Sequence, residues 1–263
     1  MDNVTYDSIG VNYNKHRSAD IRILVTIKDL LNLPHGSTIA DIGAGTGNYA
    51  NALADSGYKV IAIEPSKNMR NQTTPNKEVT WLSGIAESIP LRNNSVSGVI
   101  VILALHHFSD TVCAANELAR ICPSGPVVVF TIDPRESEEF WFNNYFPEIA
   151  EHVANTFPPI ADVIKILNQK HNWSVSTTKF LLPRDLKDMN MCSGWNRPEI
   201  YLDAEIRQNT SGFALSDPTT VQKGIIHLQS DLLSGNWDRK YGHLRTREAF
   251  DAGFKFLKFV KRL

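Results

Sequence analysis

Between residues 37 and 133 the sequence alternates between short apolar runs and turn or helix-like stretches, and this alternation constrains the fold more than any other feature. The apolar runs are rich in β-branched residues and mostly apolar at both odd and even positions, which is typical of parallel strands covered on both faces. The intervening stretches supply crossover helices. The predicted strands are STIADI, YKVIAIE, EVTWLS, SGVIVILAL and GPVVVFTID. The pattern predicts a doubly wound α/β sheet.

A helix is predicted upstream of the first strand, over residues 21–31. Ile21, Leu24, Val25 and Leu31 have helical spacing, and a proline three residues beyond the helix ends the run. This segment should lead directly into the sheet.

Downstream of the fifth strand the character of the sequence changes. EEFWFNNYFPEIAEHVANTFPP is helical and aromatic, which predicts a cap over the sheet edge. WSVSTTKFLL alternates like an edge strand, whereas FKFLKFVKRL fits either a helix or a strand. We divide the chain into an N-terminal helical segment with the α/β core (1–133), a mainly helical cap or substrate region with one candidate strand (134–234), and a C-terminal return to the sheet (235–263).

The charge balance argues against a polyanionic partner. Lys and Arg total 27 and Asp and Glu total 28, so the chain has no bulk attraction to nucleic acid or to an anionic membrane. The three cysteines are too few and too scattered for a disulfide framework or a zinc site, and we predict no bound metal. The N-terminus is polar, and no apolar run approaches the ~20 residues of a membrane span. We expect a cytoplasmic monomer or homodimer that acts on a small molecule.

The turn after the first predicted strand contains Gly43, Gly45 and Gly47 within five positions. In a parallel sheet, ligands bind outside the carboxyl ends of the strands, where the strand order reverses. Glycines there permit positive φ and let a ligand approach the backbone closely. The spacing is GxGxG, not the GxGxxG of dinucleotide-binding loops, and the preceding Asp41 would repel a pyrophosphate. An acid at this place suits a ligand that carries an ammonium or sulfonium group.

A second acidic residue, Glu64, ends the second predicted strand, seventeen residues beyond Gly47. A carboxylate at this place can accept hydrogen bonds from both hydroxyls of a ribose. The glycine loop and Glu64 together predict a nucleoside ligand.

Four stretches, DIGAGTGNYA, VIAIEPSKNM, GIAESIPL and LALHHFSD, occur in this order and at these spacings. They resemble the S-adenosylmethionine-dependent methyltransferases of the Rossmann-like class I, in particular the type-11 small-molecule group, over about residues 6–133. The resemblance implies a doubly wound, Rossmann-like, mostly parallel sheet with an N-terminal helical segment and a mainly helical cap insertion. It also implies S-adenosyl-L-methionine as the cofactor and methyl transfer to an oxygen, nitrogen or carbon of a small molecule.

The resemblance further implies where each part of the cofactor binds. Residues 41–47 would hold the methionine part and Glu64 the ribose hydroxyls. Ala86 and Glu87 would border the adenine, and Met69 would pack beside the base.

In this family the N-terminal segment folds over the cofactor, and here it contains Tyr13 and Arg17. Arg17 would pair with a carboxylate of the cofactor or substrate; the alternative is a solvated helix face. Ile85 and Ser97 depart from the family pattern, which often has Asp at both positions. The predicted cofactor-binding residues are Tyr13, Arg17, Asp41, Gly43, Ala44, Gly45, Gly47, Glu64, Pro65, Met69, Ala86, Glu87 and Leu103.

The chemistry itself needs few residues, because methyl transfer is an in-line displacement that requires alignment, exclusion of water and, for some acceptors, removal of a proton. His106 and His107 follow the fourth predicted strand at the end that faces the ligand. An imidazole suits a general base near neutral pH. The family parallel favours His107 as the catalytic residue, with His106 in the substrate pocket. The alternative is a structural histidine that caps the next helix.

Aromatic residues of the cap give a second candidate set. Trp141 and Tyr145 have i, i+4 spacing, and Trp195 follows later. These residues would form the hydrophobic wall of a substrate pocket. An ordinary cap core is the alternative.

Three other functions compete with this interpretation. A nicotinamide-dependent oxidoreductase is disfavoured by the GxGxG spacing and by the lack of a Tyr-x-x-x-Lys pair. A non-catalytic cofactor-binding module stays open because of Ile85 and Ser97. Methylation of RNA or protein is disfavoured, since the chain has no basic stripe, no appended binding domain and no Asn-Pro-Pro-aromatic motif after the fourth strand.

Overall fold

The computed structural model describes residues 17–137, 140–168 and 171–262, so the prediction for Tyr13 lies outside the described residues. A sheet of seven strands forms the centre, and a second sheet has two strands. The seven strands are β1 (Thr38–Ile42), β2 (Lys59–Ile63), β3 (Val79–Leu82), β4 (Gly98–Ile102), β5 (Val127–Ile132), β6 (Trp173–Lys179) and β9 (Phe254–Lys261). The small sheet pairs β7 (Leu182–Pro183) with β8 (Ala249–Phe250).

Helices connect and cover these strands. The α-helices of the described residues are α1 (Ile21–Leu31), α2 (Asn48–Asp55), α3 (Lys67–Asn71), α4 (Thr111–Ile121), α5 (Phe142–Tyr145), α6 (Pro147–Thr156), α7 (Ile160–Asn168), α8 (Ala204–Gln208), α9 (Ser211–Ala214), α10 (Pro218–Leu233) and α11 (Asn236–Tyr241). Short 3₁₀ helices lie at Leu105–His107, Pro134–Glu136, Pro198–Leu202 and Gly242–Thr246. None of the helices in this part of the chain has the length and apolarity needed to cross a membrane.

The strand order of the large sheet is β3-β2-β1-β4-β5-β9-β6. Strands β1 to β5 pair in parallel, whereas β9 pairs antiparallel with both β5 and β6. The chain moves outward from β1 to β3 and then crosses to β4 on the other side of β1. The reversal opens a crevice at the carboxyl ends of β1 and β4, where an open α/β sheet binds its ligand. The predicted doubly wound, mostly parallel sheet is confirmed.

The C-terminal segment that fitted either a helix or a strand is β9, which lies between β5 and β6. Its residues Phe254 and Phe256 pack into the hydrophobic cluster on one face of the sheet, and Leu257 and Phe259 into the cluster on the other face. An inner strand is covered on both faces, which explains why its sequence does not alternate strictly. The predicted edge strand is β6, at the end of the sheet.

The helix predicted over 21–31 is present, but its buried face differs from the predicted stripe. Ile23 and Ile27 are buried together with Leu24 and Leu31, whereas Ile21 and Val25 are 63% and 46% exposed. The buried stripe is rotated by about a quarter of a turn from the predicted one and still has helical spacing, so spacing alone identifies the helix but not the face that packs.

The region after β5 is mainly helical, as predicted, but it does not form a single block. Helices α5, α6 and α9 to α11 pack against one another, on the face of the sheet that α1 and α2 also cover. Helix α7 leaves them to pack beside α4 on the opposite face, and β6 joins the sheet. Because α11 packs on α10, the helical region continues past the predicted boundary at 234 to the 3₁₀ helix that ends at Thr246.

Candidate functional site

The glycine loop, residues 43–47, joins β1 to α2 at the carboxyl edge of the sheet. The Gly43 and Ala44 N–H groups donate to the carbonyl oxygen of Ile63, at the end of β2, at 2.9 and 3.1 Å. The Gly47 N–H donates to the Ala44 carbonyl at 2.9 Å and closes the turn before α2. The loop is therefore fixed to the end of the neighbouring strand.

Two glycines of this loop are required for different reasons. Gly47 has φ +81°, and a Cβ there would lie 2.6 Å from the Trp81 ring, so packing and conformation both demand glycine. Gly45 has φ +58°, and among the described residues a Cβ there would contact only the Met69 Cε, at 3.6 Å. The described part of the chain thus leaves room for another group beside the backbone at Gly45.

Glu64 joins the glycine loop to the end of β2. Its Oε2 accepts a hydrogen bond from the Gly45 N–H at 2.9 Å, and its Oε1 accepts one from the Ser66 N–H at 2.9 Å. The residue is only 8% exposed. Binding of ribose hydroxyls by this carboxylate stays a prediction.

Asp41, on β1 just before the loop, is 2% exposed, and its Oδ1 has no hydrogen-bond partner among the residues that the structure describes. Burial, and secondly the charge of Glu64, raises the pKa of Asp41 to about 7. Two buried carboxylates side by side disfavour an anion and favour a cation. This edge of the sheet is therefore suited to a cationic ligand and unsuited to a pyrophosphate.

Some of the residues predicted around the adenine precede β3 in the sequence, and the others follow it. Met69 is 4% exposed, and its N–H donates to the Ser66 Oγ, which caps α3, at 3.2 Å. The Pro65 carbonyl accepts a hydrogen bond from Arg70 at 2.8 Å, and Ala86 is 5% exposed. Apolar side chains thus predominate here, and their contact with a base stays a prediction.

Glu87 has a structural role that the sequence did not indicate. Its Oε1 accepts hydrogen bonds from the Ser109 N–H at 2.6 Å, the Ser109 hydroxyl at 2.9 Å and the Asp110 N–H at 3.1 Å. The carboxylate therefore fixes the segment after β3 to the start of α4. Contact between the Glu87 backbone and the adenine stays a prediction. The Glu87 carboxylate is bonded to Ser109 and Asp110 instead.

The segment after β4 has a strained backbone beside the crevice. Leu103 has φ +50°, in the left-handed region, which a residue with a bulky side chain rarely adopts. Its N–H donates to the Phe130 carbonyl, on β5, at 2.8 Å, which holds this conformation. Strained residues cluster at ligand sites. The predicted contact of Leu103 with the cofactor stays a prediction.

The two histidines after β4 pack together, with ring centroids 3.8 Å apart, and His106 also lies 4.0 Å from the Phe157 ring of the cap. Burial, and secondly His107, lowers the pKa of His106 well below its ordinary value, and its Nδ1 has no partner within the described chain. Desolvation lowers the pKa of His107 to about 4. The His107 side chain nonetheless keeps some exposed surface. Both rings are therefore neutral at pH 7, and the role of His107 as a base stays a prediction.

Arg17 pairs with a carboxylate of the protein itself. Its Nε contacts the Asp188 Oδ1, and its Nη2 lies 3.4 Å from the Asp188 Oδ2. The Arg17 side chain is 16% exposed and lies outside any helix, so the alternative of a solvated helix face is wrong. Pairing of Arg17 with a carboxylate of the cofactor or substrate stays a prediction.

The predicted substrate residues of the cap are packed in its interior. Trp141 and Trp195 have no exposed surface, and the Trp141 Nε1 donates to the Trp195 carbonyl at 2.8 Å. Trp195 stacks on Phe250 at 5.5 Å, and the Tyr145 hydroxyl donates to Asp231 at 2.8 Å. This packing is that of an ordinary cap core. A substrate-lining role for Trp141, Tyr145 and Trp195 stays a prediction that the packing does not support.

Within the described ranges, no group of three or more His, Cys, Asp or Glu side chains is arranged to hold a metal ion. Cys113 is exposed, and Cys122 and Cys192 are buried; none of the three is in a disulfide among the described residues. Burial raises the pKa of Cys122 to about 11 and that of Cys192 to about 12, which makes them poor nucleophiles.

Sequence reasoning missed a polar group beside the glycine loop, made of Asn48, Tyr49 and Asp188. Asn48 could have been found, since it is the first residue of the helix after the loop. Asp188 could not, because its partner Arg17 lies 171 positions away and no local pattern joins the two.

Comparison with known proteins gives matches over most of the chain. A sequence model described as a methyltransferase domain matches residues 40–130. The crystal structure of a candidate methyltransferase from an antibiotic biosynthesis pathway of Anabaena variabilis has 43% sequence identity and a TM-score of 0.90, and the match covers 94% of this chain and 99% of that one.

Two further matches are more distant. An uncharacterised methyltransferase of Mycobacterium tuberculosis is 29% identical over 157 residues, which are 57% of this chain and 62% of the relative. The match therefore spans less than two thirds of that relative's length. Phosphoethanolamine N-methyltransferase 2 of Haemonchus contortus, in complex with S-adenosyl-L-methionine, has a TM-score of 0.58 at 19% identity, covering 99% of this chain and 56% of that one. At this identity the likeness concerns the fold alone.

Proposed function

Because this chain belongs to the S-adenosylmethionine-dependent methyltransferases, we propose that it transfers a methyl group from S-adenosyl-L-methionine to an oxygen, nitrogen or carbon of a small molecule. The predicted family and its cofactor are confirmed by that membership. The observation that carries the proposal is an open glycine loop beside two buried carboxylates, Asp41 and Glu64, where the strand order reverses. The small acceptor is supported by the Anabaena relative, since antibiotics are small molecules.

The described residues fit this cofactor. The loop at 43–47 offers bare backbone, and the Glu64 carboxylate lies beside it, with Oε2 bonded to the Gly45 N–H and Oε1 to the Ser66 N–H. The buried Asp41, with one oxygen that has no described partner, suits a cationic group. Met69 and Ala86 offer apolar surface to a base. The same two carboxylates disfavour a pyrophosphate and hence a nicotinamide dinucleotide.

When bound, the cofactor supplies a methyl group activated by a positively charged sulfur. The task of the chain is then to align the acceptor, to exclude water and to remove a proton where the acceptor requires it. In this proposal the neutral imidazole of His107 accepts that proton. His106 packs between His107 and Phe157, so it orients the base from the cap side.

Transfer of label from methyl-labelled S-adenosyl-L-methionine to fractions of a cell extract tests the proposal. We expect label in the small-molecule fraction, and none with a Gly45→Val variant as the control. Label found only in RNA or protein would contradict a small acceptor. Binding of the cofactor without label in any fraction would favour the non-catalytic module.

Glu64→Ala should weaken cofactor binding about ten- to hundredfold, because it removes a charged acceptor worth about 1.5 to 3 kcal/mol. It also releases the Gly45 N–H, to which Glu64 is bound at 2.9 Å. The measurement is a calorimetric titration, with the exposed Glu78→Ala as a matched control that should bind like the wild type. An unchanged dissociation constant in Glu64→Ala would remove Glu64 from the ribose site.

His107→Ala should lower turnover about a hundredfold to ten-thousandfold, the contribution typical of a general base, with cofactor affinity unchanged within about twofold. In the wild type the base is active when unprotonated, so turnover should fall as the pH drops through the pKa of His107. Because desolvation lowers that pKa to about 4, we expect the midpoint of this acidic limb near pH 4, well below the ordinary value for histidine.

The pH profile of turnover by His107→Ala checks the assignment, and His152→Ala, an exposed histidine on α6, is the control. The acidic limb should disappear in His107→Ala and persist in His152→Ala. A loss of less than tenfold together with an unaltered acidic limb would retire His107 as the base.

A further inference from the structure

The start of the described chain is held by a loop from far along the sequence. Residues 185–188, which follow β7, lie against residues 17–22. The Lys187 N–H donates to the Asp20 Oδ2 at 3.0 Å, across 167 positions. Asp20 has no exposed surface and is the N-cap of α1. The loop therefore fixes the entry to α1.

Asp188 is a second buried acidic residue of this contact, at 2% exposure. Its carboxylate binds the Arg17 guanidinium and receives a long contact of 3.4 Å from the Tyr49 hydroxyl. Tyr49 is 8% exposed. Burial, and then the charge of Asp188, raises the pKa of Tyr49, so its hydroxyl stays protonated and can donate. A buried carboxylate is tolerated when it is paired in this way.

Arg17 and Tyr49, the two side chains that contact the Asp188 carboxylate, are both connected to the end of the glycine loop. The Arg17 carbonyl accepts a hydrogen bond from the Asn48 Nδ2 at 3.1 Å, and the same Nδ2 lies 3.4 Å from the Thr46 Oγ1 within the loop. Asn48 begins α2, and Tyr49 is the next residue. Asp188 is thus connected to the end of the loop in two ways. One connection passes through Arg17 and Asn48, and the other passes through Tyr49.

We propose that Asp188 is a positioning residue for the cofactor, which holds the end of the glycine loop in its binding conformation from the side of the cap. The inference rests on the proposed function, since the position of the loop matters only if it binds the cofactor. Glycine-rich backbone has many conformations of similar energy, so contacts outside the loop are needed to select one. Such preorganisation increases affinity without touching the ligand.

The test is the dissociation constant of S-adenosyl-L-methionine for Asp188→Asn, which keeps the shape of the side chain and removes its charge. We expect a constant at least about tenfold higher. The matched control is Asp185→Asn from the same loop. Asp185 pairs with Arg22 at 2.6 Å, but its side chain is 68% exposed and its partner does not contact the glycine loop. That variant should bind within about twofold of the wild type.

A purely structural role predicts a different result: a lower melting temperature for Asp188→Asn, but wild-type affinity at temperatures where the variant is folded. Equal affinity of wild type and folded Asp188→Asn would overturn the inference and leave the proposed function intact.

If Asp188→Asn does not fold, Tyr49→Phe breaks one connection alone and should weaken binding about threefold. Unchanged affinity in that variant would then overturn the inference. A wild type that does not bind the cofactor overturns the proposed function and the inference with it.

Discussion

Gly45→Val is expected to raise the dissociation constant for S-adenosyl-L-methionine more than about a hundredfold, which corresponds to about 2.7 kcal/mol, while the chain stays folded. The branched side chain would stand where the ligand approaches the backbone. It would also strain a residue with φ +58°, at a cost of about 1 to 2 kcal/mol. Cofactor calorimetry and circular dichroism give the two measurements.

Gly36→Val is the matched control, because Gly36 also has a positive φ, +83°, and a Cβ there would meet no described atom within 4 Å. It lies in the turn between α1 and β1, and it should lose stability but not affinity. A Gly45→Val protein that is as stable as Gly36→Val and still binds within tenfold of the wild type would show that the loop is structural only.

Asp41→Asn is expected to stabilise the cofactor-free protein at neutral and alkaline pH. The pKa of Asp41 is raised from 3.8 to about 7 in the folded chain, so between these values the folded state keeps a proton that the unfolded state has lost. The stability contributed by Asp41 therefore falls as the pH rises from about 4 to 7 and is constant above that. The raised pKa of Asp41 lowers the free energy of unfolding by at most about 4 kcal/mol.

An amide does not titrate, so the difference in unfolding free energy between Asp41→Asn and wild type should grow by about 2 to 4 kcal/mol from pH 4 to pH 8. Urea unfolding at several pH values measures it. The exposed Asp29→Asn is the control for the loss of a carboxylate at the surface. A pH-independent difference for Asp41→Asn would contradict a protonated carboxyl beneath the loop.

The sheet could be predicted because its signals are local. β-branched runs bounded by turn residues identified the five parallel strands, and the glycine loop identified the carboxyl edge. Glu64 was found because a strand end and a spacing suffice to place it. Its hydrogen bonds to the Gly45 and Ser66 N–H groups bring the loop and β2 together as that spacing indicated.

Features that depend on tertiary packing were not predictable in the same way. The buried face of α1 is rotated from the predicted stripe, because Ile21 and Val25 have the same helical spacing as the residues that pack. Trp141 and Trp195 pack in the core of the cap. The sequence could not show this, because aromatic residues are equally suited to a pocket and to a core. Asp188 meets Arg17 only because β7 directs its loop toward α1, and a contact across 171 positions has no sequence signature.

The most direct test of the proposed function is a calorimetric titration of the wild-type chain with S-adenosyl-L-methionine and with its demethylated product, and with a nicotinamide dinucleotide for comparison. We expect one site per chain, micromolar dissociation constants for the first two ligands and no measurable binding of the dinucleotide. Binding of neither S-adenosyl-L-methionine nor its product, or tighter binding of the dinucleotide, would contradict it.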